Sequence, residues 1–113
     1  MPLKLYNRVG FIVSRWLELL LFDRILNQMR ECIRACQYVM TTHAEEEMND
    51  DGLTVYDVES VILSGTIEHR QKDTNTGEWK YLVKGKTISN DDAIVVGKLA
   101  CTGKLVLITI YRE

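Results

Sequence analysis

Gly65 divides the sequence into two periodicities. Before it, apolar residues recur at helical spacing; after it they alternate two by two. Four strands are predicted beyond it, over residues 66–71, 78–88, 92–100 and 104–112. Short breakers at 73–77, 89–91 and 101–103, rich in Asp, Asn, Thr and Gly, separate them. Loops this short make neighbouring strands antiparallel. Helices first and a meander after them predict an α+β fold, with N-terminal helices packed on one face of a four-stranded antiparallel sheet.

The helical half has three parts. Residues 9–22 are the most apolar stretch, but Arg15 and Glu18 interrupt it, and it falls short of the ~20 residues that a bilayer span needs. Lys4 and Arg8 precede it without a small-residue cleavage site after it, so an amphipathic helix packing on this or another subunit is expected rather than a signal peptide. From Asp23 onward, Ile25, Met29, Cys32, Ile33 and Cys36 share one helix face, and Arg24, Asn27, Arg30 and Arg34 the other. Residues 1–24 are therefore read as an extension and 25–113 as a single domain. Thr42-His43-Ala44-Glu45 has the form of a capping box opening a second helix, and Thr54-Val55-Tyr56-Asp57 that of one opening a third, with Gly65 as its stop.

Composition sets the class without naming a function. The 113 residues are 46% apolar and 27% charged, which excludes disorder and fibrous architectures. A formal charge of −2 gives no overall nucleic-acid footprint, yet its distribution is uneven. Residues 41–60 hold seven acidic and no basic side chains, whereas 61–113 hold eight basic and six acidic ones. That polarity is one a partner can read; the duller account is a solvated helix face. Cys32, Cys36 and Cys101 read as reduced thiols of a cytoplasmic protein. The first two, four apart, lack the further ligands that a metal site needs, so neither metal nor cofactor is expected.

A set of ordered short motifs carries a family resemblance. They are Thr42-His43-Ala44-Glu45-Glu46-Glu47-Met48, Gly52-Leu53-Thr54, Asp57-Val58-Glu59, Leu63-Ser64-Gly65, Trp79-Lys80-Tyr81 and the closing Leu107-Ile108-Thr109-Ile110-Tyr111. Over about residues 25–113 the chain resembles a bacterial family, the domain of unknown function numbered 4258. It departs from that pattern at Asp51, where the family often carries arginine, and within Asp92–Val95, where a histidine is common. The family in turn resembles, in size and element order, the RelE, ParE and MqsR toxins of bacterial type II toxin–antitoxin pairs. The resemblance implies a metal-independent endoribonuclease, an mRNA interferase, held silent by a cognate antitoxin of zinc-finger or helix-turn-helix type. A non-catalytic protein- or RNA-binding module on the same fold is the alternative, since fold does not determine function. A homo-oligomer through the N-terminal helix is a further expectation.

Metal-free RNA cleavage needs a base, cations around the phosphorane, and an acid for the leaving oxygen. Strand alternation predicts where these would meet. If Val106, Ile108 and Ile110 face the helices, then Leu105, Leu107, Thr109 and Tyr111 face away. Lys80, Lys84 and Lys86 of the second strand and Lys98 of the third fall on that same open face. Lys80, Lys98, Tyr111 and His43 are the candidate catalytic residues, and Arg70, Lys72, Lys84 and Arg112 the candidate substrate-binding ones. Three roles are open to His43: a general base, as suits an imidazole, a metal ligand with Glu47, or a helix-start residue that packs on the sheet. Trp79 is either a core residue or a platform for a nucleobase.

Overall fold

The computed structural model describes residues 3–113, with side chains from residue 15 onward. The side chains of residues 9–14, and those of Lys4 and Arg8, lie outside that description. Among the described residues, the elements are α1 (Leu3–Arg34), β1 (Tyr38–Met40), α2 (Thr42–Asp50), α3 (Val55–Ser64), β2 (Thr66–Lys72), β3 (Trp79–Lys86), β4 (Asp92–Leu99) and β5 (Leu105–Arg112).

The expected four-stranded antiparallel sheet is corrected here. The sheet has five strands in the order β1-β5-β4-β3-β2, and β1 runs parallel to β5 through Tyr38–Leu105, Val39–Val106 and Met40–Leu107. The physical reason is local. α1 ends in a turn where Cys36, not a glycine, takes a left-handed backbone (φ 55°), so no Gly or Pro announces the break. Three residues are also too few to display a period of two, and Tyr38 and Met40 continue a string that reads as helix.

β5 carries a second correction. The register between β4 and β5 shifts between Val96, opposite Thr109, and Gly97, opposite Leu107, which leaves Ile108 as the extra residue of a bulge. Parity flips there. Leu105, Leu107 and Ile110 are fully buried among the core residues, whereas Val106 and Ile108 are only half-buried. A strict alternation assigned Val106 and Ile108 to the core because it could not see the inserted residue.

The core lies between the sheet and the helices. Phe22, Leu26, Met29 and Ile33 of α1, Val58, Val61 and Ile62 of α3, and Ala44 and Met48 of α2 meet Ile67, Tyr81, Val83, Ala93 and Val95 of the strands. Phe22 sets its ring edge-on to Tyr81 at 6.3 Å. Arg30, expected on the polar face of its helix, turns inward instead. Its guanidinium donates to the carbonyls of Ile62 (3.1 Å) and Gly65 (2.8 Å), answering acceptors that the end of α3 leaves without partners.

Two helix starts can be compared with their sequence signatures. The cap of α2 is Thr41, one residue before the expected Thr42, and its hydroxyl accepts from the Ala44 amide at 3.1 Å. The Thr54–Asp57 box forms as expected, and Asp57 does more than close it. One carboxylate oxygen accepts from the Thr54 amide (2.9 Å) and the other from the Ile88 amide (3.1 Å), tying α3 to the β3–β4 turn. The Thr54 amide foremost, and the Ile88 amide after it, hold the Asp57 carboxyl below its ordinary value. A depressed folded value means stabilisation that is present above the unfolded carboxylate pKa of about 4 and is lost as pH falls through the folded value. Wild type should therefore exceed Asp57→Asn in urea midpoint at neutral pH, with the gap closing as the pH is lowered. A gap that widens in acid would contradict this assignment.

Candidate functional site

Strand register decides which side chains share a face. Tyr81 pairs with Gly97, so Lys80 and Lys98, one step beyond, stand across from each other on β3 and β4 and point away from the core. Tyr111 pairs with Ile94, and Ile94 with Lys84, which puts Tyr111, Ile94 and Lys84 in one row on that same side. The structure thus brings Lys80, Lys84, Lys98 and Tyr111 to one face. It does not bring them to one point: Lys98 lies four residues along β4 from Ile94, the neighbour of Tyr111, or roughly 13 Å.

The lysines of this face have carboxylate partners. Lys98 Nζ meets Glu78 Oε1 at 3.0 Å, Lys84 Nζ meets Glu113 Oε1 at 2.7 Å, and Lys86 Nζ meets Asp92 Oδ1 at 2.7 Å. Hydrogen bonding to Glu113 raises the Lys84 pKa, and hydrogen bonding to Lys86 lowers that of Asp92. Lys80 enters no such pair among the described residues. Lys80 and Lys98 both act on Asp73 in the β2–β3 turn, a carboxyl held low by the Asn75 amide first and by the two lysines to a smaller extent. The Lys84 and Lys86 pairs are solvent-accessible and that of Lys98 is half-buried, so each contributes little to stability and a phosphate can compete for the ammonium.

The remaining candidates lie elsewhere. β2 is bulged between Ile67 and His69, and this shifts Arg70 opposite Tyr81 and Lys72 opposite Trp79, on the helix side of the sheet. There the Arg70 guanidinium stacks over the Trp79 ring at 4.1 Å, with Lys72 Nζ at 5.8 Å. Trp79 is 38% exposed, so it is neither a closed core residue nor an open platform; Arg70 already occupies one side of its ring. Arg112 also belongs to the helix side, opposite Ala93, where its guanidinium meets Asp91 (2.7 Å) and the Asp51 carbonyl (3.2 Å).

His43 sits in the first turn of α2, mostly exposed, with Nε2 3.1 Å from Glu47 Oε1. α2 runs beside β5 where β1 has ended and serves its free edge in place of a strand. The Thr41 amide donates to the Leu107 carbonyl, Glu47 accepts from the Ile110 amide (3.3 Å), and Asp51 accepts from the Arg112 amide (2.7 Å). The carboxylate beside His43 is thus an edge cap. β5 is two strands from β3, so His43 and Lys80 lie towards different sides of the sheet. His43 and Glu47 gain no third ligand, and the described residues hold no group of three that could bind a metal ion.

With the geometry described, comparison with known proteins decides the family. The match to the family described as Domain of unknown function (DUF4258) covers residues 40–112. This chain belongs to that family. No curated protein and no solved structure matches it. The DUF4258 match begins at the end of β1 and leaves α1 outside, although α1 supplies, among the described residues, the buried side chains of Phe22, Leu26, Met29, Cys32 and Ile33.

Several DUF4258 motif positions in this chain have scaffold roles. Ala44, Met48, Leu53 and Val58 are core residues. Gly52 takes a left-handed backbone (φ 68°) after α2, Thr54 and Asp57 form the capping box, and Glu59 accepts the Tyr38 hydroxyl at 2.6 Å. Burial foremost, and then Glu59, push the Tyr38 phenol well above its ordinary pKa, so it remains a proton donor. Arg30, Glu47 and Asp57 each satisfy a backbone group of a distant element, a long-range contact that neither their polarity nor, for Asp57, the local capping box signals.

Proposed function

We propose that the chain is the toxin of a type II toxin–antitoxin pair, a metal-independent endoribonuclease acting on messenger RNA and silenced by a cognate antitoxin. The observation that supports it is the co-facial placement of Lys80, Lys98 and Tyr111, on separate strands and on the side of the sheet away from the core. Lys80 and Lys98, facing each other, grip the scissile phosphate and stabilise the charge of the phosphorane. The 2′-oxygen bonds to phosphorus as the bond to the 5′-oxygen breaks, and the 2′-proton passes to a base while an acid returns one to the leaving oxygen. Lys80 and Lys98 are the proton-carrying groups within reach of that phosphate, and Tyr111, roughly 13 Å along the sheet from Lys98, holds the RNA further along. Lys84 binds the flanking backbone. His43 takes no part, being directed to the β5 edge, and Arg70, Lys72 and Arg112 act at the other face or not at all.

Expression without a partner should arrest growth of the host cell. The Lys80→Ala/Lys98→Ala protein, accumulating to the same level, should relieve the arrest. Equal growth of cells expressing wild type and double variant sinks the reading.

A second reading, a non-catalytic protein- or RNA-binding module, is favoured by two observations. Lys84, Lys86 and Lys98 are held by carboxylates, and Tyr111 stands far along the strand from Lys98. It expects RNA retention without loss of RNA, or one stoichiometric protein partner recovered from cells in which messenger RNA is intact.

A further inference from the structure

α1 exposes more apolar surface than one packed face of a helix should. Trp16, Leu17, Leu19 and Leu20 are 64%, 61%, 51% and 60% exposed, on a helix of 32 residues, about 48 Å long. A helix apolar on several sides is one that a second body covers. Among the described side chains, the buried side begins at Phe22. Around it, Trp16, Leu19, Leu20, Asp23 and Leu26, three and four residues apart, line with Phe22 a groove of about 330 Å³ whose other wall is Thr66 and Ile67 at the start of the edge strand β2.

The charges on this segment identify the occupant. Arg15 stands four residues before Leu19 and Asp23 four residues after it, and neither forms an ion pair among the described residues. In a parallel pair of identical helices, Arg15 would meet Arg15, and Asp23 would meet Asp23. In an antiparallel pair crossing at Leu19, each Arg15 meets the other copy's Asp23, Trp16 meets Phe22, and Leu19 meets its own copy. A two-fold interface must be complementary to itself, and this segment is so in one orientation. We propose that α1 seats the α1 of a second copy of this chain, antiparallel, in the groove beside β2. The interface is separate from the open sheet face and independent of what that face does.

Sedimentation equilibrium of the full chain tests it. Wild type should show the mass of two chains. Arg15→Asp and Asp23→Arg should each weaken self-association by about tenfold or more, and the doubly swapped Arg15→Asp/Asp23→Arg protein should recover it. These positions are exposed, so urea midpoints taken at a dilution where wild type is a single chain should stay unchanged, and a mass change cannot be ascribed to unfolding. A single-chain wild type at about 100 μM overturns the proposal. So does a dimer indifferent to either swap, or a doubly swapped protein that fails to recover; a foreign protein seated on Trp16 and Leu20 in a chain that stays single does the same.

Discussion

Gly85→Ala is expected to cost about 3 kcal/mol of folding free energy, the upper end for a forced overpacking and a large share of the roughly 5–15 kcal/mol that a domain of this size has. α3 returns to the sheet so closely that a Cβ on Gly85 would run into the Val61 carbonyl oxygen and lie 2.9 Å from the Cα of Gly65. Both obstacles are backbone, which cannot rotate aside as a side-chain tip would. The seam is further closed by Ser60, whose hydroxyl donates to the Lys86 carbonyl, and by Ser64, whose hydroxyl donates to the Ser60 carbonyl and accepts from the Lys86 amide. Opening it would therefore break hydrogen bonds as well as packing. Urea unfolding supplies the measurement, and Gly77→Ala the comparison: Gly77 has a left-handed backbone but open space around its Cα, so only the backbone strain of about 1 kcal/mol applies. A loss at Gly85 no larger than that at Gly77 would mean that α3 lies further from the sheet than described.

Met29→Ala should be nearly as damaging, at about 2–5 kcal/mol. Met29 is fully buried, and it belongs to the α1 stretch that Arg30 ties to the end of α3. The cavity would open between α1 and the sheet, with backbone hydrogen bonds on either side that resist collapse. The consequence reaches beyond one residue: the folding unit includes part of α1, although the family match starts at residue 40. A urea midpoint that Met29→Ala leaves unmoved would show α1 to be an appendage.

What could be read from the sequence follows from the length of each signal. The Thr54–Asp57 box, the β3 row of Trp79, Tyr81 and Val83, and the hairpin breakers are local patterns of several residues, and they appear where expected. β1 is three residues long and enters through a left-handed Cys36, so neither period nor punctuation marks it. The bulges at Glu68 and Ile108 each insert one residue; the first sets Arg70 and Lys72 on the helix side with Trp79, and the second sends Leu105 and Leu107 to the face opposite the expected one. For the candidate site, parity placed Lys80, Lys98 and Tyr111 on one side correctly. It could say nothing of the distance along the strand or of the carboxylates, Glu78, Asp92 and Glu113, that meet the lysines from other elements. A general limit of motif reading applies to His43. Its neighbour Glu47 is committed to a backbone amide of β5, a long-range contact that spacing within α2 does not encode.

The central claim is that Lys80 and Lys98 act together on RNA without a metal. The most direct measurement is incubation of the full chain with end-labelled single-stranded RNA in excess EDTA, wild type beside Lys80→Ala/Lys98→Ala. The account predicts fragments with 5′-hydroxyl ends from wild type and a rate lower by about a hundredfold or more in the double variant. RNA left intact by wild type, or cut equally by both proteins, would contradict it.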